Sequence, residues 1–108
     1  MQHIRMPDSR EPQFQKLVKD FPNSPLGHFS LGKLYLDGGR AAEAVPLLEQ
    51  ATTLDPTYAA ALVCLGDAYV ATGQVHVART TFERAKEVAL AQKHPGLAEE
   101  IDARVQEL

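Results

Sequence analysis

The chain repeats one pattern of residue types with a period of 34 positions. Each copy has a Leu-Gly-x-x-Tyr motif, then a glycine, and then alanine and glutamate at matching offsets. The matching residues are Leu31, Gly32, Tyr35, Gly39, Ala44, Glu49 and Ala51 in the first copy, and Leu65, Gly66, Tyr69, Gly73, Ala78, Glu83 and Ala85 in the second. A fixed period of this length is typical of stacked units, because each unit buries its apolar face only against its neighbours. The repeat therefore predicts a stack of similar units rather than one closed core.

Apolar residues recur at helical spacing along the chain, and no segment has the period of two that a strand requires. Proline and glycine interrupt this pattern at regular places, as expected at the ends of helices. We therefore predict an all-α fold with helices at about residues 9–20, 25–37, 41–53, 59–71, 75–92 and 97–107. Asp8 or Ser9 is expected to cap the first helix, and His94-Pro95-Gly96 to separate the last two.

The composition argues against several classes of partner. The 108 residues carry a net charge of −3 and no basic stripe, so binding to nucleic acid is not expected. No stretch reaches the roughly 20 apolar residues that span a bilayer, and the N-terminus lacks the apolar region of a secretory signal. The single cysteine, Cys64, precludes an internal disulfide and suits a reducing compartment. These features predict a cytoplasmic protein without membrane insertion.

The residue patterns that usually carry catalysis are absent from the sequence. There is no glycine-rich phosphate loop, and no HExxH, CxxC or Gly-x-Ser-x-Gly motif. The four histidines are scattered, and Cys64 has no histidine near it in sequence. Asp37-Gly38-Gly39 offers too few oxygen ligands for a metal ion and is explained by a turn between helices. We predict that the protein is not an enzyme and uses no cofactor or metal, and an enzyme or metalloprotein remains the least supported alternative.

The repeated motif resembles the tetratricopeptide repeat, whose pattern has Leu-Gly-x-x-Tyr on one helix and Ala-x-x-x-Phe on the next. Ala44-x-x-x-Leu48 and Ala78-x-x-x-Phe82 match the second part of this pattern. The resemblance implies antiparallel helical hairpins stacked in a right-handed superhelix. We expect a flexible N-terminus at 1–8 and a single domain at 9–108. The expected parts of that domain are a half-repeat (9–22), two repeats (25–56 and 59–92) and a C-terminal capping helix (97–108).

The sequence departs from the family pattern at a few positions. His28 and Leu62 occupy the site of the family's tryptophan, and Leu90 stands where a second closing proline would be. Without that proline, the fifth helix is expected to run longer than the third. Pro46 lies inside a predicted helix, but so near its start that we expect it to cost less than the ~3 kcal/mol of an interior proline.

The resemblance further implies that the first helix of each hairpin lines a concave binding surface. The residues at these positions are Leu26, Phe29, Lys33, Leu36, Asp37, Ala60, Val63, Asp67, Val70 and Ala71. The apolar ones are not needed for the hairpin seam, which predicts an exposed groove. In the alternative, the neighbouring hairpin or the last helix covers them. Some family members clamp a terminal carboxylate there, but Phe29, Val63 and Asp67 are unsuited to that role, so we expect a helix or an extended apolar segment as ligand.

Together these features predict a non-catalytic adaptor or scaffold that binds a protein or peptide segment in the groove. The alternative is a self-assembly module, a homo-oligomer in which the last helix packs on a second copy. The last segment, 97–108, is rich in acidic residues. It is either a solvated face or a docking surface for a basic partner.

Overall fold

The computed structural model describes residues 10–108, and all the regular secondary structure in this part of the chain is α-helical. The helices are α1 (Arg10–Asp20), α2 (Pro25–Asp37), α3 (Ala41–Leu54), α4 (Ala59–Ala71), α5 (Val75–Ala91) and α6 (Pro95–Gln106). The predicted all-α fold is therefore confirmed, and the predicted helix limits agree to within a few residues. The expected caps of the first helix, Asp8 and Ser9, lie outside the described residues.

The turns within the two hairpins, α2–α3 and α4–α5, have the same geometry. Each contains a glycine with positive φ, 79° at Gly39 and 80° at Gly73, a conformation that strains residues with a side chain. In each turn the next N–H donates to the carbonyl of the repeat's tyrosine, Tyr35 or Tyr69, at 2.8 Å. The sequence period is thus reproduced in the backbone.

One glycine and one large side chain close the seam of each hairpin. A Cβ atom at Gly32 would lie 2.8 Å from Cγ of Leu48, and one at Gly66 would meet the ring of Phe82. Leu48 and Phe82 are both fully buried, and burial of such side chains stabilises a fold by about 1.5–3 kcal/mol each. The helices approach this closely because the glycines have no side chain. Both repeats therefore pack in the same way.

The core is continuous along the stack and is most complete at its centre. α4 contributes eight buried residues and packs against both α3 and α5, whereas α1 contributes none. At the position equivalent to the fully buried Leu62, His28 is also buried. Its Nε2 donates to the carbonyl of Pro22 at 2.8 Å, but its Nδ1 has no hydrogen-bond partner among residues 10–108. The first repeat is therefore packed less well than the second at this point, since an unpaired buried polar atom costs about 1–3 kcal/mol.

The connection between α5 and α6 differs from the predicted one. α5 has 17 residues and α3 has 14, in line with the missing proline at Leu90. The chain then turns at Lys93, which adopts a φ of 61°. α6 begins at Pro95 rather than at residue 97, because a proline in the first turn of a helix lacks only an N–H that would have no helical partner. The predicted break at His94-Pro95-Gly96 is therefore wrong, because Pro95 and Gly96 belong to α6.

α6 packs on α5 with one side and carries polar residues on the other. Ala98 and Ile101 are buried, whereas Glu99, Glu100 and Gln106 are exposed. Lys86 of α5 forms an ion pair with Asp102 at 2.9 Å. This arrangement is the one expected of a capping helix, because the apolar side covers α5 and the polar side meets water.

Candidate binding groove

α2, α4 and α6 together carry the predicted groove residues and their neighbours. α2 lies against α4, and Arg104 of α6 reaches Asp67 of α4. We call this side of the three helices the groove surface. It consists of the ten predicted positions of α2 and α4 together with Leu97 and Arg104 of α6. The end of this surface near the first turns of the helices is apolar, and the end near their last turns is charged. The two ends can therefore make different contacts.

The apolar end is built around Phe29 and Tyr58. Their ring centroids lie 4.8 Å apart, with 38° between the ring planes, which fixes the Phe29 side chain in place. Leu26, one turn earlier on α2, is 54% exposed, and Ala60 on α4 is also exposed. Since Leu26 contributes little to the core, its apolar surface is free for contact with another molecule.

The expectation that all the apolar groove residues lie outside the core does not hold for Val63. Val63 is only 8% exposed and belongs to the core cluster, and Phe29 and Leu36 pack against that cluster with part of their surface. Val70, near the end of α4, is 38% exposed. Val63 is therefore covered, as in the alternative in which the neighbouring hairpin or the last helix packs over the apolar groove residues. The accessible apolar surface is therefore divided between Leu26 of α2 and Ala60, Val70 and Ala71 of α4.

Two ion pairs lie at the charged end. Lys33 Nζ donates to Asp37 at 2.8 Å, and Arg104 Nε donates to Asp67 at 3.0 Å. The hydrogen bond with Asp37 raises the pKa of Lys33. Because Arg104 neutralises Asp67, this carboxylate repels an anion less than the sequence alone suggests. The Lys33–Asp37 pair is exposed and the Arg104–Asp67 pair is half-buried, so both are partly screened by water and the first contributes little to stability.

Cys64 lies half-buried on α4 among these charges. Burial raises the pKa of its thiol, and the positive charge of Lys33 opposes this shift only in part. The thiol is therefore protonated at neutral pH and weakly nucleophilic. This environment does not suit a catalytic or redox-active cysteine.

A hydrogen bond between adjacent repeats joins α4, which carries part of the groove surface, to α3. Tyr69 donates its hydroxyl proton to Oε2 of Glu49 at 2.5 Å, and burial followed by this bond raises the pKa of Tyr69 to about 12. One repeat earlier, Gln15 Nε2 donates to the hydroxyl of Tyr35 at 3.3 Å. The sequence marks Tyr35, Tyr69 and Glu49 as repeated positions, but their pairing appears only once α3 and α4 are assembled.

An open cleft, which sequence reasoning missed, adjoins the apolar end. Its volume is about 450 Å³, and it lies between the α3–α4 turn and the α5–α6 turn. Its lining includes Asp55, Thr57, Tyr58, Ala60, His94 and Leu97. Gln92 Nε2 donates to the carbonyl of Thr57 at 2.8 Å and so joins the two turns. The two sides of the cleft, residues 55–60 and 92–97, are far apart in sequence, so the sequence alone does not show that they meet.

Within residues 10–108, no three His, Cys, Asp or Glu side chains lie close enough together to hold a metal ion. None of the helices in the same range has the length and apolar character needed to cross a membrane.

Comparison with known proteins agrees with the geometry. The family model described as tetratricopeptide repeat matches residues 35–94. The chain is 36% identical over 70 residues to the TPR repeat-containing protein PA0015 of Pseudomonas aeruginosa, an alignment that covers 65% of this chain and 67% of that protein. The solution structure of protein BPP2914 from Bordetella parapertussis aligns with a TM-score of 0.77 over 99% of this chain and 88% of that chain. Its sequence is 24% identical, so it supports the fold alone.

The stacked hairpins and their glycine-closed seams define a helical-repeat protein. The chain belongs to the tetratricopeptide repeat family. Repeats of this family generally mediate contacts between proteins and are typically non-enzymatic.

Proposed function

We propose that this chain is a non-catalytic adaptor that binds a segment of another protein on the groove surface. The observation that carries the proposal is the apolar end of that surface, where Leu26 is exposed beside the fixed ring of Phe29. Full burial of a leucine is worth about 1.5–3 kcal/mol, so covering the exposed half of Leu26 supplies roughly half of that. Several contacts of this size are needed for micromolar affinity. A reducing compartment such as the cytoplasm suits the free thiol of Cys64.

The charge pattern supports an apolar segment as the ligand rather than a terminal carboxylate. Lys33 and Arg104 are the two cations of this surface, and each already pairs with an aspartate. A bound carboxylate would therefore compete with Asp37 or Asp67 for its partner. The pairs can still select among ligands, since charges at the edge of an interface affect specificity more than affinity.

The test uses two double variants of matched composition. Leu26→Glu with Ala60→Glu places two carboxylates on the groove surface at exposed positions, so folding should be retained. Val77→Glu with Ala42→Glu makes a comparable change at exposed positions of α5 and α3, the second helices of the hairpins. We expect the first pair to lose the partners that wild type captures from its native cells, and the second pair to keep them. Capture of every wild-type partner by the groove variant would show that the surface is misassigned.

Self-assembly is a second candidate function, because α1 leaves apolar side chains partly exposed. Phe14 and Leu17 are only half-buried, although the equivalent residues of α3, Leu48 and Ala51, are fully buried. This leaves apolar surface at the N-terminal end of the described stack, where a second copy could pack. Light scattering over a range of protein concentrations decides this point: a monomer throughout the micromolar range excludes self-assembly.

A further inference from the structure

The cleft beside the groove surface contains a carboxylate whose charge is not neutralised. Oδ1 of Asp55 accepts hydrogen bonds from the backbone N–H of Thr57 at 3.0 Å and from its hydroxyl at 2.8 Å. Oδ2 accepts no hydrogen bond from the residues that the structure describes, and none of their ion pairs includes Asp55. A half-buried carboxylate with a vacant oxygen is expected to attract a cation.

The rest of the cleft suits the aliphatic part of a long side chain. Leu97 and Ala60 provide an apolar wall, and the Tyr58 ring, which Phe29 holds in place, provides an aromatic one. Tyr58 and Asp55 line the same cleft, and burial, followed by the negative charge of Asp55, raises the pKa of Tyr58. A cation beside both a carboxylate and an aromatic face is stabilised by both, and the stem of lysine or arginine readily covers apolar surface.

The cleft is continuous with the groove surface and is formed before any ligand arrives. Ala60 belongs to both, and Phe29 of the groove surface contacts Tyr58 of the cleft. The hydrogen bond from Gln92 to Thr57 fixes the distance between its two sides. At the junction before α2, the position equivalent to Asp55 is Phe21, an exposed aromatic residue. The carboxylate is therefore specific to the second junction and is not a property of every repeat in this chain.

We propose that the cleft binds one cationic side chain, lysine or arginine, of the segment that lies on the groove surface. This proposal rests on the proposed function, which supplies the ligand segment. Binding of a cation in the cleft can nevertheless be tested without that segment. A segment that satisfies both sites has a basic residue next to its apolar residues. The cation would meet Oδ2 of Asp55 while its stem lies against Leu97.

The test is a titration of the isotopically labelled full chain, followed by NMR. The probe is N-acetyl-arginine amide, and N-acetyl-norleucine amide is the matched apolar control. We expect the arginine probe to shift the amide signals of Thr57, Ala60 and Leu97 with millimolar affinity, and the norleucine probe to bind about fivefold more weakly, which corresponds to one partly solvated charge pair. N-acetyl-glutamate amide should bind no better than norleucine. Shifts confined to the acidic outer side of α6 would overturn the proposal.

Asp55→Asn is the decisive variant because its side-chain oxygen can still accept both hydrogen bonds from Thr57. Its fold should be unchanged, as checked by circular dichroism, while binding of the arginine probe falls about fivefold. Asp20→Asn removes the same charge from α1 and should leave the binding unchanged. Equal affinities for wild type and Asp55→Asn would refute the cation site.

The two proposals fail in different ways. If Asp55→Asn loses the probe while the groove variant, Leu26→Glu with Ala60→Glu, keeps every captured partner, the cation site stands and the groove assignment falls. If that groove variant loses the partners while Asp55→Asn keeps both the partners and the probe, the groove stands and the cation site falls.

Discussion

At the scale of single residues, the absence of a side chain at Gly32 and Gly66 sets the distance between the helices of each hairpin. A Cβ atom at Gly32 would lie 2.8 Å from Leu48, and the ring of Phe82 fills the corresponding space beside Gly66. Both large side chains are fully buried. An added methyl group must therefore push the helices apart or force a side chain out of its preferred rotamer.

We predict that Gly66→Ala destabilises the protein, although alanine favours helices by nearly 1 kcal/mol over glycine. Overpacking against Phe82 should cost about 1–3 kcal/mol, which exceeds that gain. Gly96→Ala is the control, since a Cβ atom there meets no atom within 4 Å in α6. Urea unfolding should show a lower midpoint for Gly66→Ala and an equal or higher one for Gly96→Ala. Equal midpoints for the two variants would mean that the seam is looser than these distances indicate.

At the scale of helices, sequence reasoning succeeded where proline and glycine mark a boundary. It failed where tertiary packing determines the turn or the exposure of a side chain. The turns at Gly39 and Gly73 were predictable, because glycine is the residue that adopts positive φ without strain. The turn at Lys93 was not, because lysine is rarely found in that conformation. Helical position alone could not reveal that Val63 is buried. Its exposure depends on how closely the neighbouring hairpin packs.

The charged end of the groove surface also shows which contacts can be predicted from sequence. Lys33 and Asp37 are four residues apart on one helix, so their pairing follows from helical geometry. Asp67 and Arg104 are 37 residues apart and meet only because α6 lies beside α4. Sequence reasoning therefore assigned Asp67 an unopposed charge.

The bond between Tyr69 and Glu49 joins two helices of adjacent repeats, and it predicts a pH dependence. The pKa of Tyr69 rises from 10.0 to about 12 in the folded protein, so the neutral phenol is favoured by folding. This contribution is complete below the unfolded pKa and is lost as the pH rises through about 12. Tyr69→Phe lacks the group and should be less stable at neutral pH, while losing less stability above pH 10.0 than wild type. Urea unfolding at neutral and alkaline pH measures both effects. If the free energy of unfolding fell equally steeply with alkaline pH in wild type and in Tyr69→Phe, the assignment would be contradicted.

At the scale of the whole molecule, each element is stabilised mainly by its neighbours along the stack. α4 is covered on both sides and α1 has no buried residue, so stability decreases toward the N-terminal end of the described chain. In such a stack, loss of an end helix exposes the apolar side of the next one. α6 covers α5 with Ala98 and Ile101, which makes the C-terminal end the better protected of the two.

Deletion of residues 97–108 should therefore lower the melting temperature by at least ~5 °C and promote aggregation, since each 1 kcal/mol corresponds to about 4–8 °C in a domain of this size. The point variant Ile101→Ala removes only part of the contact and should cost about 2–5 kcal/mol, because Ile101 is fully buried. Glu99→Ala, on the exposed side of the same helix, should change little. An unaltered melting temperature and a monodisperse sample after the deletion would show that α6 is dispensable.

The longer α5 also determines where the protein could be lengthened. Its three additional residues relative to α3, and the turn at Lys93, move α6 out of phase with the 34-residue period. A further unit spliced in after Pro56 would keep a junction that already joins two hairpins, and its first helix would meet α3 as α4 does now. The same unit spliced in after Lys93 would follow a turn of different geometry and would separate α6 from α5, on which its apolar side now packs. Natural or engineered growth of this array is therefore favoured in its interior.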